Sequence, residues 1–391
     1  MKSKFIKTNL LIMDKKLFDE YILSARRVVI KIGSAVLTNR SGLEKGLIDD
    51  LCSQMALLME EDRQVVIVSS GAVAAGMTKM PEKAHGHSVP EKQALAAIGQ
   101  GLLMQVYEEA FSKYGFKVAQ VLLTRDGLVP RRRYVNAKNT IKTLIDWRVI
   151  PVINENDTVA TEELQFTDND ALSVLVVNLA EADLLVCLSD IDGLYEKDPR
   201  KEGDAKKIDV VEEIDERVMA MAGDSPGRAG RGGMGSKLRA AKMVTSFGVP
   251  MVIAGGKGPG IIHDIFTGKA ECTLFLPSKR KRIFGRKPWI AYALERKGSV
   301  SIDDGAVSAL LKGGKSLLPA GILEVSGEFQ EGDCIVCIDK SGNEVALGLS
   351  NYSASDLRKI SGCHSSQICS KIGKDSAKEE VIHRDNMVTL Q

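Results

Sequence analysis

Between residues 27 and 188 the chain alternates short, β-branched apolar runs with longer stretches whose apolar residues recur every three to four positions. Few folds can bury such a pattern. Residues 28–32, VVIKI, read as a strand covered on both faces. Residues 47–59 follow with Leu47, Ile48, Leu51, Met55, Leu58 and Met59 at helical spacing. The same reading predicts strands over 65–68, 118–123, 149–153 and 184–188, and helices over 93–111, 135–147 and 170–180. This rhythm implies an α/β fold of three layers, a mostly parallel sheet with helices on both faces. Ligands of such sheets sit beyond the carboxyl ends of the strands, so polar motifs at those ends are the candidates for chemistry.

Two segments break the rhythm. Residues 159–161 and 164–166, separated by Glu162 and Glu163, read as a small hairpin that would form a flap. Near residue 276 the pattern changes outright: residues 279–287 hold six basic side chains and no acid, the mark of an exposed connector. Beyond it come Gly-punctuated short strands, over 321–325, 334–338, 344–349 and 381–383, as in a small β-rich domain. The expected organisation is an N-terminal extension over 1–26, an α/β domain over 27–276, a basic linker over 277–287 and a β-rich domain over 288–391. A length of 391 residues suits two or three domains. The extension, with only four consecutive apolar residues at 10–13, reads as loose and too short in its apolar part for a signal peptide.

Composition excludes several classes of function. Lys plus Arg number 53 against 51 Asp plus Glu, so no global basic field for nucleic acid exists. Residues 288–391 hold 11 Lys plus Arg and 14 Asp plus Glu, a net −3. No run approaches the ~18 apolar residues of a membrane span. Seven cysteines, an odd and sparse count, favour a reducing compartment, and the chain is expected to be cytoplasmic.

The strongest phosphate signal is Gly230 to Lys237, GRGGMGSK, running into the helical stretch 238–247. Its glycines let backbone amides approach an anion, the helix adds its positive end, and Lys237 adds a full charge. A dinucleotide fingerprint is disfavoured because a loop, not a strand, precedes it. A Walker loop is excluded at Gly314-Lys315-Ser316, where the first required glycine falls on Ala309. Lys31 stands at the end of the first strand, where it either reaches out of the sheet or meets an anion. Ser69-Ser70-Gly71 closes the second strand as an anion-holding turn or a plain helix cap. Asn154-Glu155-Asn156-Asp157 and Thr167-Asp168-Asn169-Asp170 flank the flap, and their acids and amides suit an ammonium group or a metal with oxygen ligands such as Mg²⁺. Ser189-Asp190 can border a nucleotide or form a surface turn. Cys334 and Cys337 form a C-x-x-C, but on a strand an offset of three sends them to opposite faces, so packing thiols are preferred to a zinc pair.

Together VVIKIGS, VIVSSGAVAAG, PVINENDTVAT, the TDND at 167–170, LSDIDGLYEKDP and GRGGMGSK resemble the glutamate 5-kinase branch of the amino acid kinase family, with a C-terminal PUA domain. The resemblance implies that Lys31 and Lys237 contact nucleotide phosphate and the transition state, with Asp170 orienting them. It implies substrate contacts at Ser70, Asp157 and Asn169. It also implies nucleotide contacts at Lys31, Ser189, Asp190, Arg231, Gly232, Gly233, Met234, Gly235, Ser236 and Lys237. Ser189 and Arg231 stand where many members have Thr, and Gly235 extends the glycine run. The implied reaction transfers phosphate from ATP, with Mg²⁺, to the side-chain carboxylate of L-glutamate, the first step of proline synthesis. The resemblance further implies proline as a feedback inhibitor, a homo-oligomer, and a glutamate-5-semialdehyde dehydrogenase partner that consumes the product. Rival expectations are a family member acting on aspartate, N-acetylglutamate or a nucleoside monophosphate, and an RNA-binding PUA protein. The basic connector favours RNA and the net −3 opposes it.

Overall fold

The structure is a computed structural model that describes residues 6–7, 15–39, 42–83, 88–124, 126–128, 130–160, 169–222, 233–278, 296–373 and 378–390. They form two compact units, one within residues 1–283 and the other mainly within 284–391. Of the expected flap (159–166), Val159 ends a turn and Ala160 follows it, neither in a strand, and the rest, with Asp168 and the basic run 279–287, lies outside the described residues.

The first unit is built on strands β1 (Arg27–Ile32), β2 (Gln64–Ser69), β3 (Val118–Leu123), β4 (Ile150–Glu155), β5 (Leu184–Ser189), β6 (Val210–Val211), β7 (Met251–Gly255) and β8 (Cys272–Phe275). Their order is β6-β8-β7-β5-β1-β2-β4-β3, with Ile6–Lys7 added antiparallel beside β6. Among the eight labelled strands every neighbouring pair is parallel except β7 with β8. This is the mostly parallel sheet expected from the alternation.

Helices α1 (Lys45–Glu60), α2 (Ala72–Lys79), α3 (Val89–Ser112), α4 (Arg131–Asp146), α5 (Asn169–Ala180), α6 (Met234–Ser246) and α7 (Ile261–Thr267) accompany it. Period-two alternation along β1 decides what each face meets. Val28, Ile30 and Ile32 join one core with Met55 of α1, Phe111 of α3 and Ile265 of α7. Lys31 faces the other way, where it meets α5. A core on both faces explains why the strands are almost continuously apolar.

The structure departs from the sequence reading at several points, among them α4, which begins at Arg131 rather than 135. Helix α3 begins at Val89, not 93, because Ser88 and Glu91 form a reciprocal capping box, with Ser88 N donating to Glu91 Oε2 at 3.0 Å. Helix α2 was not expected, because AVAAGMTK is short and rich in small residues. Those residues serve packing: a Cβ on Gly76 would collide with the Leu95 carbonyl oxygen, and one on Gly99 with that of Ala72. The loose extension is a correction at residues 15–25, where Ile22 and Ala25 are buried members of the core.

The second unit is a five-stranded sheet of β9 (Arg296–Ile302), β10 (Ile322–Gly327), β11 (Cys334–Ile338), β12 (Glu344–Leu349) and β13 (Met387–Thr389), ordered β10-β9-β11-β12-β13. Two of its expected strands, β11 and β12, lie where the pattern put them. The strand expected at 381–383 is a correction: Ile382 makes only an isolated bridge to Leu317, and the pairing with β12 is made by β13 after a turn at Arg384–Asn386. Cys334 and Cys337 are both buried free thiols, and burial pushes Cys337 up to about 12. Among the described residues no helix is long and apolar enough to cross a membrane.

Candidate functional site

Strand β1 lies between β2, which follows it in the chain, and β5, which arrives from the other side. That is a topological switch point, where open α/β sheets leave a crevice at their carboxyl edge. The polar motifs gather along this edge: Lys31 lies one residue before the end of β1, Ser69 ends β2, Asn154 and Glu155 end β4, and Ser189 ends β5. Pairing continues past the strand ends and fixes the turns. Gly33 N donates to the Leu188 carbonyl at 3.2 Å, Ser70 N to Ile32 at 3.1 Å and Gly256 N to Ser189 at 2.7 Å. Gly71 has φ +101°, so the Ser70 turn needs a residue without Cβ, and no side chain caps α2. The alternative of a plain serine cap is thereby removed.

Three charged residues meet at the centre. Asp170 opens the first turn of α5, where the positive helix end favours a carboxylate. Lys31 Nζ pairs with its Oδ1, and Lys237 Nζ donates to its Oδ2 at 3.2 Å. Relative exposures of 2%, 0% and 4% for Lys31, Asp170 and Lys237 put the triad out of bulk water. Cys187 Sγ adds a 3.6 Å contact to Asp170 Oδ1. One lysine comes from a strand and the other from the start of a helix 67 residues beyond Asp170, so the carboxylate is what sets their separation. Two ammonium groups converging near the N-terminus of α6 suit a phosphoryl group.

Beside the triad a second cluster is held by amides. Asn169 Nδ2 donates to Ser70 Oγ at 2.8 Å, to the Ser69 carbonyl at 2.9 Å and to Asn154 Oδ1 at 3.0 Å. Ser70 and Asn169 are thus brought together, 99 residues apart in the chain. Asp157 lies half-buried in the turn after β4, joined to neither by a hydrogen bond among the described residues, and burial raises its carboxyl above the usual aspartate value.

On the β5 side, Ser189 Oγ donates to Asp190 Oδ1 at 3.1 Å and Arg200 Nη2 to Oδ2 at 2.6 Å. Burial works to raise Asp190, but the Ser189 hydroxyl and the Arg200 guanidinium hold it below the ordinary range. Gly233 caps α6, and Met234, Gly235, Ser236 and Lys237 form its first turn. Arg231 and Gly232 lie outside the described residues. Sequence reasoning did not single out Gln100, Tyr107 or Cys187. The first two share the buried face of α3 with Leu103 and Phe111, so their spacing reads as ordinary core, and only the fold shows that their polar ends reach the sheet edge.

Comparison with known proteins gives a consistent result. A model of the Amino acid kinase family matches residues 26–255, and a PUA domain model matches residues 298–372. A glutamate 5-kinase of Desulfotalea psychrophila is 48% identical over 377 residues, spanning 96% of this chain and 99% of its own. A glutamate 5-kinase of Geobacter metallireducens is 49% identical over 366 residues, spanning 93% and 98%. One from Caldanaerobacter subterraneus subsp. tengcongensis is 47% identical over 366 residues, with the same spans.

Proposed function

The chain belongs to the amino acid kinase family and within it to the glutamate 5-kinases, and from that premise we propose how its residues perform the ATP-dependent phosphorylation of the L-glutamate side chain. The reaction yields L-glutamyl 5-phosphate and ADP, the first step of proline synthesis from glutamate. A glutamate side-chain carboxyl ordinarily titrates at about 4.3, so it is already an anion at neutral pH. No general base is required. The carboxylate oxygen attacks the terminal phosphorus of ATP, and the β-phosphate oxygen leaves with the electron pair.

The observation that carries the assignment is the buried Lys31–Asp170–Lys237 triad. Lys31 and Lys237 neutralise the charge spread over the transferring group from two sides, and Asp170 holds both ammonium groups at the required separation. Ser189 and Asp190 border the nucleotide, as do Arg231 to Lys237 through backbone amides and the positive end of α6. On the acceptor side, Asp157 pairs with the ammonium group of glutamate, while Ser70 and Asn169 supply hydrogen bonds. Mg²⁺ would be carried by the nucleotide phosphates: no group of three or more His, Cys, Asp or Glu among the described residues forms a metal cage, and this ion is commonly bound through substrate phosphates. Bound there, it adds charge neutralisation.

The working division is kinase domain 27–276, linker 277–287 and PUA domain 288–391. Proline is proposed as a feedback inhibitor at or overlapping the glutamate site, the active form as a homo-oligomer, and a glutamate-5-semialdehyde dehydrogenase as the recipient of the labile acyl phosphate. An ATP-dependent hydroxamate assay tests the reading, run with glutamate, aspartate and N-acetylglutamate, each with and without proline. Glutamate gives product, aspartate little, and proline raises the glutamate concentration needed. Equal product from aspartate would overturn the substrate assignment.

A further inference from the structure

Helix α3 carries three polar side chains seven residues apart, Gln93, Gln100 and Tyr107. At 3.6 residues per turn that interval returns nearly to the same face. Each meets a different part of the carboxyl edge. Gln93 Nε2 donates to the Ala160 carbonyl at 2.9 Å, Tyr107 shares a 2.9 Å hydrogen bond with Ser69 Oγ, and Gln100 Oε1 accepts from Asn154 Nδ2 at 2.9 Å.

The middle contact constrains most. With Nδ2 committed to Gln100, Asn154 presents Oδ1 to Asn169 Nδ2 at 3.0 Å and to Glu155 N at 2.9 Å. A flipped Asn154 amide would set two NH₂ groups against each other. Gln100 Nε2, meanwhile, is buried without a hydrogen-bond partner among the described residues. An orphaned buried donor costs free energy, which an apolar side chain of the same size would avoid.

We propose that Gln100 is a positioning residue of the glutamate site, acting through Asn154 to fix the orientation of the Asn169 amide. The proposal rests on the assignment of Asn169 to substrate binding. Gln100 itself touches no reacting group.

The test measures kcat, both KM values and Tm for Gln100→Met, Gln100→Glu and Asn169→Ala in the full chain. Gln100→Met raises the glutamate KM about tenfold, the loss of one hydrogen bond, while the ATP KM and kcat stay within about twofold. Its Tm stays within about 3 °C, since Met nearly matches Gln in volume. Gln100→Glu keeps an acceptor oxygen and lies nearer the unmodified enzyme. A glutamate KM unmoved by Gln100→Met but raised by Asn169→Ala overturns the inference and leaves the substrate assignment standing. If neither variant moves it, both fall. An equal rise of the two KM values, or no advantage of Glu over Met, also overturns the inference. Gln100→Asn, a methylene too short to reach Asn154, serves if the Met variant does not fold, with the same outcomes on either side.

Discussion

A lysine near the end of an apolar strand is the residue on which the proposed chemistry turns. Lys31→Ala or Lys237→Ala removes one preorganised donor, and kcat is expected to fall by at least about a hundredfold in steady-state assays of the folded variants. A near-unchanged kcat in either would refute the role. Asp170→Ala does something else: it strands two buried ammonium groups, so it costs stability as well as turnover, about 3–5 kcal/mol by denaturant unfolding. Asp157 offers a pH signature. Burial raises its carboxyl above 3.8 in the fold, so its charged form is disfavoured there, and the stability it contributes below the unfolded value is lost as pH rises through the folded one. Asp157→Asn therefore raises the Tm of the free protein at pH 7 yet weakens the thermal shift produced by glutamate. In the unmodified enzyme the apparent glutamate KM rises on acidification, beginning above the ordinary aspartate range, and the Asn variant lacks that limb. Lys31 was legible because a charge in an apolar run needs a reason, Lys237 because a glycine-rich turn leads into it, and Asp157 and Asp170 because they stand in dense polar clusters. Gln100 and Tyr107 were not, because a polar residue on a helix has an easy alternative reading.

At the scale of elements, glycine decides how closely α2 and α3 approach. Gly76→Ala or Gly99→Ala forces a methyl group into the backbone of the facing helix, and a loss of about 1–3 kcal/mol is expected in thermal or denaturant unfolding. Since α3 carries Gln100 behind the amide cluster, a glutamate KM increase should accompany the loss. A Tm equal to that of the unmodified chain would show that the two helices can part at no cost. Strands β1, β2, β3, β4 and β5 were read from sequence within two residues at each end, because the buried strands β1, β2, β4 and β5 are continuous apolar runs and the partly exposed edge strand β3 still keeps a β-branched and aliphatic run broken only at Gln120. Helix α2 escaped because its packing surface is made of small side chains, which carry no hydrophobic periodicity. The Ser88 cap of α3 was present in the sequence, but the apolar spacing from residue 93 masked it. Strand β9, RKGSVSI, has two apolar residues in seven and is specified by pairing on both edges rather than by its own composition.

For the whole molecule, all described residues assigned to the reaction lie in the first unit. A chain ending at residue 283 is expected to keep glutamate-dependent ADP release. A folded fragment with no activity would give the second unit a part in catalysis. Alternation of strand and helix, read in order, was enough to determine the layered sheet, and the polar motifs at strand ends marked the edge where they gather, because burial on two faces imposes a pattern that local side chains must obey. Local pattern left Lys31, Asp170 and Lys237 apart, a grouping that only the family resemblance implied and that the tertiary structure makes on the Asp170 carboxylate; tertiary structure alone decided that Asn169 lies against Ser70 and that α3 presents amides to the polar edge of the sheet. Those relations depend on strand order and helix approach, which join positions far apart in the chain and leave no mark in the local periodicity of either partner.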